Sequence, residues 1–233
     1  MFTGIIEEVG TVAELTTDPL VANSGGKVRI EASRVLPKLE IASSIAVSGC
    51  CLTVVEKTES GFACDLSPET LLRTAFPRLR PGARINLETS LTLDKPLGGH
   101  IVQGHVDGVG TLLGLIPIGD GNYWLDVEVP PALARYLVEK GSVAVEGISL
   151  TVAGIEGTVL RIAIIPFTIE NTNLSSLQPG DPLNLECDVV AKYVEKLMGE
   201  RSAAPAAPAP PEKEPASDAS SRLTLERLRE EGF

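Results

Sequence analysis

Short stretches in which hydrophobic and polar residues alternate dominate the chain as far as Cys187. Residues two apart on an extended strand share a face, so this period predicts strands with one buried face. Gly, Pro, Asn and Asp separate the stretches at intervals typical of small β-sandwiches or barrels. The clearest strand segments are 27–32, 44–49, 51–56, 84–89, 123–129, 142–147, 149–154 and 159–165.

Helical patterns are fewer. Residues 130–141 begin with Pro and end with Gly, which favours one helix, and residues 33–40 are its shorter counterpart because Pro37 interrupts them. A third pattern in residues 187–200 has apolar residues at helical spacing, namely Val189, Val190, Tyr193, Val194, Leu197 and Met198. One helix cannot bury that stripe alone. It packs on its own barrels or on other copies of the chain, as in a small cyclic oligomer.

Four segments of the first hundred residues recur in the same order in the second hundred. Residues 47–54 (VSGCCLTV) match 145–152 (VEGISLTV), and the other pairs are 2–11 with 102–111, 66–74 with 164–172, and 81–88 with 179–186. Such a nearly constant offset indicates two copies of one domain. We therefore predict an all-β fold of two tandem six-stranded Greek-key barrels, whose closure removes sheet edges, followed by a C-terminal helix.

The repeat also sets the predicted domain bounds. The first barrel covers residues 1–99, and the second covers 100–200 including the helix at about 187–200. The tail, 201–233, is rich in Ala and Pro, and we predict that 201–222 is disordered because it cannot bury enough surface to offset its ordering entropy. The final LTLERLREEGF is either a frayed end or a short helical docking peptide.

Composition narrows the choice of partners. The net charge is −11 and no run of Lys or Arg occurs, which argues against nucleic acid and anionic membranes as partners. The N-terminus lacks a signal-peptide pattern and no apolar run approaches the roughly 20 residues of a membrane helix, so we expect a cytoplasmic protein. Cys50, Cys51, Cys64 and Cys187 have no C-x-x-C spacing, which disfavours a zinc site or a disulfide framework.

Positions at which the two copies differ indicate roles needed only once. The first copy has Ile5, Ala42, Cys51 and Asp65 where the second has His105, Lys140, Ser149 and Ala163, whereas Thr53 and Thr151 are shared. Cys51 and Thr53 are two apart on a strand, so both should face one rim, as should Ser149 and Thr151. Such a rim suits hydrogen bonding to a flat heterocycle.

The only two histidines of the sequence lie close together. His100 and His105 are five residues apart, which would put them on opposite faces of a strand and argues against a shared metal site. His105 replaces an isoleucine that the other copy uses for packing, and imidazole is a natural proton carrier near pH 7. His105 is therefore the leading candidate for acid–base chemistry.

The segments MFTGII (1–6), GCCLTV (49–54), GGHIVQGHVDG (98–108) and GISLTV (147–152) together resemble the riboflavin synthases built from two lumazine-binding barrels. The resemblance runs unbroken over residues 1–200. It implies dismutation of two molecules of 6,7-dimethyl-8-ribityllumazine, one held by each barrel, into riboflavin and 5-amino-6-(ribitylamino)uracil, with no metal or redox cofactor. It also implies a cytoplasmic homotrimer joined by the helix 188–200, with active sites between subunits and, in some organisms, a surrounding lumazine synthase shell.

The resemblance also implies substrate contacts in both copies. In the first copy they are Gly4, Ile5, Ile6, Cys51, Leu52, Thr53, Asp65, Leu66, Ser67, Pro68, Glu69 and Thr70. In the second copy they are Gly104, His105, Val106, Lys140, Ser149, Leu150, Thr151, Ala163, Ile164, Ile165, Pro166, Phe167 and Thr168.

For catalysis, His105 is the expected base or relay that removes a proton from the C7 methyl group, helped by Ser149 and Thr151. The nucleophile that adds to C7 of the partner lumazine is Cys51, Ser44 or an activated water. Cys51 would need a lowered pKa, and no basic residue is near it in sequence, so we favour water or Ser44 and place Cys51 in the ring pocket. The alternative is a non-catalytic lumazine- or flavin-binding antenna protein on the same fold.

Overall fold

The computed structural model describes residues 1–17 and 24–203. The strands are β1 Glu8–Thr17, β2 Gly26–Glu31, β3 Ser44–Val47, β4 Cys50–Lys57, β5 Gly61–Leu66, β6 Arg84–Thr89, β7 Gly108–Gly119, β8 Asn122–Glu128, β9 Ser142–Val145, β10 Ile148–Glu156, β11 Val159–Ile164 and β12 Pro182–Cys187. The α-helices are α1 Pro68–Arg73, α2 Pro131–Ala134, α3 Pro166–Glu170 and α4 Val189–Ala203. No helix in this described part is long and apolar enough to cross a membrane.

The strands close into two antiparallel barrels, as the alternation and the repeat predict. The order is β1-β2-β5-β4-β3-β6 in the first barrel, and the second barrel repeats it as β7-β8-β11-β10-β9-β12. Each barrel has its own core of inward aliphatic side chains, such as Ile30, Ile45 and Leu87 in the first. On β4, the side chains of Cys50, Leu52 and Val54 are buried, so the alternate residues Cys51 and Thr53 point outward, as predicted.

The short helix predicted in residues 130–141 is present as α2, which covers only Pro131–Ala134 of that segment. After α2 the chain makes i to i−3 bonds, from Tyr136 N to Leu133 O (3.0 Å) and from Leu137 N to Ala134 O (3.1 Å), and Lys140 then takes a left-handed φ of 64°. Its counterpart in residues 33–40 contains only a 3₁₀ turn, Leu36–Lys38. Tighter turns of this kind place short apolar segments over a barrel end.

Helix α4 confirms the helix predicted from apolar spacing near the C-terminus. It continues to Ala203, three residues into the range assigned to the tail. Lys192 Nζ bonds Asp107 at 2.6 Å, and Tyr136 Oη donates to Glu195 at 2.5 Å, so the first half of α4 is fixed on the second barrel. The rest of the predicted disordered tail and the docking peptide lie in 204–233, outside the described residues.

The two barrels exchange their first segments. Gly4 O accepts a hydrogen bond from Ser149 N of the second barrel, and Gly104 O accepts one from Cys51 N of the first, both at 2.8 Å. Phe2 and Val102 pair as an antiparallel bridge between the two segments. The segment that begins each repeat therefore lies on the other barrel, and the two crossings are related by a pseudo-two-fold axis.

Glycines shared by the two repeats mark that axis. Gly49 and Gly147 have φ of 81° and 77°, and a Cβ on Gly49 would lie 2.8 Å from Gly147 N. Only glycine allows this backbone contact, which explains the common Gly of VSGC and VEGI. Nearby, Asn184 Oδ1 accepts from Ala75 N and Asn86 Oδ1 accepts from Asn173 N, both at 2.7 Å.

Candidate active site

A cleft of about 480 Å³ lies where the exchanged segment of the second repeat meets the first barrel. We call it the His105 cleft. Its size is within the range of about 300–1,000 Å³ that small-molecule sites occupy. Its lining residues are Cys50, Cys51, Glu69, Thr70, Arg73, Thr74, Gly104, His105, Val106 and Asp107.

The buried carboxylate of Glu186 holds the His105 loop. It accepts hydrogen bonds from Gln103 N (2.6 Å), Gly104 N (2.9 Å) and His105 N (3.1 Å). Burial raises the pKa of Glu186, although these backbone donors and Lys192 oppose the shift. Three N–H groups on one carboxylate fix the backbone on both sides of Gly104, and so fix where the imidazole enters the cleft.

Gly104 permits that entry because of its close contact with the first barrel. Its φ is 83°, and a Cβ there would lie 2.5 Å from Cys51 Cβ and 2.8 Å from Cys51 N. The glycine therefore brings His105 and the outward thiol of Cys51 to one cleft. Burial raises the pKa of the neighbouring Cys50 thiol to about 12, which leaves Cys51 as the cleft's available thiol.

Helix α1 supplies the opposite wall. Ser67 caps it by accepting from Thr70 N at 3.0 Å, and Pro68 occupies the first helical position. Glu69 and Arg73 form an i,i+4 ion pair at 2.8 Å on its exposed face. This wall is polar and charged, which suits a hydroxylated chain such as a ribityl group.

The equivalent cleft on the second barrel has different chemistry. This Phe167 cleft has a volume of about 360 Å³ and is lined by Ile6, Glu7, Glu8, Val9, Arg34, Arg84, Phe167, Glu170 and Asn171. Phe167 is 69% exposed, and the neighbouring Ile5 and Ile165 are exposed apolar residues outside this lining. Phe167 stands where the first repeat has Glu69, so α3 places one aromatic group at the position of a charged one, beside Glu170 in a cleft that stays largely charged.

Glu7 is the strongly ionised group of the Phe167 cleft. Burial opposes its ionisation, but hydrogen bonds from Lys38, Lys95 and Thr89 outweigh burial and lower its pKa to about 2. Its counterpart Asp107 is paired with Lys192 in the other cleft. Both exchanged segments thus carry an acid that is neutralised by a lysine from outside the barrel strands.

His100, which the spacing argument excluded as a metal ligand, meets a predicted site residue. Its Nδ1 lies 2.7 Å from Ser149 Oγ. Burial lowers the pKa of His100, against an opposing effect of Asp188, so the ring is neutral near pH 7. Its Nε2 is buried without a partner among the described residues. Such an orphaned atom costs about 1–3 kcal/mol, which a hydrogen bond to a ligand or water would recover.

The remaining predicted residues do not all enter the clefts. Ser44 pairs with Thr53 across β3 and β4, and both point outward beside the His105 cleft. Asp65 is ion-paired with Lys27 at 3.6 Å and lines a separate cavity. The side chains of Leu52, Leu66 and Ile164 are in the barrel cores, and that of Leu150 packs against one.

In the second barrel, Thr151 is exposed on β10, and Lys140 is largely exposed before β9. Ala163 pairs with Trp124, Pro166 starts α3, and Thr168 lies within it. The structure therefore places His105 with Cys51, rather than with Ser149 and Thr151 as the repeat alignment grouped them.

Sequence reasoning missed the residues that position the loops. Glu88 was assigned only to a strand and its counterpart Glu186 only to a repeated segment, 179–186. Glu88 nevertheless accepts from Thr3 N (2.7 Å) and Gly4 N (2.9 Å), as Glu186 does for the second loop. The signal was present, because both glutamates recur at the same place in the two repeats, each two residues after a buried asparagine (Asn86 or Asn184) on the strand face opposite the apolar one.

Comparison with known proteins agrees with this architecture. The lumazine binding domain family matches residues 3–90 and 103–188. A riboflavin synthase of Actinobacillus pleuropneumoniae is 39% identical over 233 residues, covering all of both chains. One of Mycobacterium bovis is 45% identical over 204 residues, covering 85% of this chain and 98% of that one.

Among solved structures, LumP complexed with 6,7-dimethyl-8-(1'-D-ribityl) lumazine shares the fold. Its TM-score is 0.72 at 22% sequence identity, with 80% of this chain and 99% of that chain covered. The identity supports the fold alone. The lumazine binding domain model matches both repeats, and the two riboflavin synthases compared above are similar to this chain over nearly their full length. The chain therefore belongs to the riboflavin synthase family.

Proposed function

We propose that the chain converts two molecules of 6,7-dimethyl-8-ribityllumazine into riboflavin and 5-amino-6-(ribitylamino)uracil by transfer of a four-carbon unit. The observation that carries this proposal is the pair of related but unequal clefts. One holds His105 and Cys51, and on the other barrel His100 contacts Ser149. A reaction between two identical molecules needs two sites that bind one molecule each and treat them differently.

Holding both lumazines in a fixed orientation supplies much of the rate. Converting a bimolecular step into an effectively unimolecular one is worth about 7–11 kcal/mol. The pseudo-two-fold relation between the barrels supports opposed orientations of the two rings. In the homotrimer that we propose, the first barrel of one subunit faces the second barrel of another, which brings the two kinds of cleft together.

Proton transfer uses the side chains specific to each cleft. His105 takes a proton from the C7 methyl group of the lumazine in its cleft, and the cleft's location supports the first barrel as the place of this step. His100 polarises Ser149 on the second barrel, where Thr151 contributes a hydroxyl to the same face. The nucleophile at C7 is water or Ser44, and Cys51 lines the ring.

The trimer and the tail extend the proposal beyond one subunit. Val190, Tyr193 and Val194 on α4 are 58%, 63% and 48% exposed, which supports burial of this face against other subunits. The C-terminal peptide then docks to a lumazine synthase shell in the cytoplasm. Deletion of residues 202–233 should leave turnover unchanged and reduce co-sedimentation with that shell.

The direct test is incubation of the purified chain with the lumazine alone, followed by riboflavin absorbance. His105→Ala should lower turnover by roughly 10²-fold or more, the usual contribution of general acid–base catalysis, while lumazine binding weakens much less. Ile5→Ala is the matched control at the equivalent position of the other loop. Binding without any riboflavin formation by the parent would favour the antenna function instead.

A further inference from the structure

A third cavity, of about 320 Å³, lies between the barrels and belongs to neither cleft. It shares Arg84 with the Phe167 cleft and no lining residue with the His105 cleft. We call it the axial cavity, because its walls come from equivalent segments of the two repeats. They are Ser48, Ala75, Phe76, Arg78, Leu79, Arg80, Gly82, Ala83 and Arg84 of the first, and Glu146, Asn173, Ser176, Leu177, Asp181, Pro182 and Asn184 of the second.

The arginines of the axial cavity lack carboxylate partners. Within the described residues whose side chains are placed, Arg29, Arg73, Arg135 and Arg161 form ion pairs with acids, and Arg34, Arg78, Arg80 and Arg84 form none. Three of these four unpaired arginines line this one cavity. In a chain of net charge −11, where acids outnumber bases, that grouping indicates a place kept for an external anion.

The fold itself does not require these arginines. The residues 98 positions later, which make the same turn and strand in the second barrel, are Ser176, Gln178 and Pro182. The side chain of Arg78 makes no hydrogen bond within the described part of the chain, and Arg80 Nη1 caps its own turn by donating to Leu79 O at 2.9 Å. The positive charge of the cavity lining therefore comes from the first repeat and not from the equivalent residues of the second.

The second repeat contributes a buried acceptor to the same lining. Glu146 is 5% exposed and accepts from Asn184 N at 2.7 Å and from Asn173 Nδ2 at 3.0 Å. The first repeat has Ser48 at the equivalent position, so the carboxylate is not needed for packing either. The Ser48 side chain also donates to Glu146, and because a carboxylate has about four acceptor positions, capacity remains for one donor from a ligand.

Apolar groups complete the lining. Leu79, Ala83 and Leu177 are partly buried residues of the cavity wall, and Phe76 lies behind them in the core of the first barrel. We propose that the axial cavity binds a ring-bearing phosphate monoester of the nucleotide type. Its phosphate would contact Arg78, Arg80 and Arg84. Its ring would contact the apolar lining, and its N–H or hydroxyl groups would donate to Glu146. This inference stands independently of the proposed reaction.

The test measures binding of uridine 5′-monophosphate, uridine and inorganic phosphate to the full chain by calorimetry. Saturating riboflavin, the proposed product, is present in place of the lumazine, so that the clefts are occupied and no reaction heat is released. Uridine 5′-monophosphate should bind more tightly than uridine or inorganic phosphate, because only the nucleotide offers a phosphate to the arginines together with a ring and donors for the rest of the lining. R78Q/R80Q should weaken nucleotide binding tenfold or more. The control R29Q/R135Q makes the same charge change at paired arginines and should alter it less than twofold.

Riboflavin formation by R78Q/R80Q should equal that of the parent chain, since Arg78 and Arg80 line neither cleft, and this also verifies folding. Absence of nucleotide binding would overturn the inference, as would equal binding by R78Q/R80Q. Inorganic phosphate binding as tightly as the nucleotide would exclude a ring site, and competition between the nucleotide and riboflavin would place the nucleotide in a cleft instead.

Discussion

Replacing Gly104 by Ala should both destabilise the protein and detach the His105 loop from its cleft. The backbone at Gly104 has φ of 83°, a region that costs an L residue roughly 1–2 kcal/mol. The new Cβ would also lie 2.5 Å from Cys51 Cβ, 2.8 Å from Cys51 N and 3.0 Å from Cys51 Cα. Because two of these atoms are backbone, no rotamer change can relieve the overlap.

Overpacking of this kind costs about 1–3 kcal/mol in addition, so we expect a loss of about 2–5 kcal/mol in the free energy of unfolding. If the loop moves away instead, it loses the bond between Cys51 N and Gly104 O at 2.8 Å, and His105 leaves the cleft. Riboflavin formation should then fall by roughly 10²-fold, because a displacement of about 1 Å at the reacting groups has that effect.

Gly82→Ala is the matched control. Gly82 has a similar φ of 89°, but a Cβ added there would have no neighbouring atom within 4 Å, so only the backbone cost applies. Urea denaturation of both variants gives the stability difference, and steady-state assays give the turnover. Equal destabilisation by the two substitutions, or a fully active Gly104→Ala enzyme, would refute the close contact as the reason for this glycine.

Further predictions test the loop anchors, the titrating groups and the repeat. Glu186→Gln turns an amide N–H₂ toward backbone donors and should lower turnover about tenfold or more through misplacement of His105. Glu88→Gln changes the other loop and should leave the effect of His105→Ala on turnover unchanged. The pKa of Glu7 is about 2 in the folded chain and 4.5 ordinarily, so its ionised form stabilises the fold above pH 4.5 and this stabilisation is lost between pH 4.5 and 2. In acid titrations, the difference in stability between the parent and Glu7→Gln should therefore disappear over that pH range. Burial lowers the pKa of His100, so below pH 6.5 the unfolded chain binds its proton first, and the parent should lose stability there relative to His100→Gln. A fragment of residues 1–99 should fold on its own core and bind lumazine, and riboflavin formation by it would contradict the need for His105.

The barrels were predictable because their signals are local and repeated. Alternation reports directly on which side of a strand is buried, so the outward direction of Cys51 followed from its neighbours. Because the sequence repeats, each strand predicted in one copy was also supported by the equivalent segment of the other copy. Short helices such as α1 were missed, although Ser67 followed by Pro68 is a regular helix start, because six residues give no apolar period to detect.

The exchange of first segments could not be predicted in this way. Ile6 packs on the core of the second barrel and Val106 on that of the first, yet either would satisfy the hydrophobic pattern on its own barrel. Alignment of the two repeats shows which residues are equivalent, but it does not show which of the two barrels a given residue contacts. The contact between His100 and Ser149, 49 residues apart, was hidden for the same reason.

The crossed segments also bear on how such a chain could arise. A single repeat can complete its cleft only by lending its first segment to a twin, so two identical one-barrel chains would have to pair about a true two-fold axis. In that pair both loops would carry the same residue, whether histidine or isoleucine. When the two repeats are joined in one chain through residues 90–100, equivalent positions of the two loops are encoded by separate codons. They are then no longer required to carry the same residue. Covalent fusion is therefore what allows His105 and Ile5 to differ, and with them the two halves of the molecule.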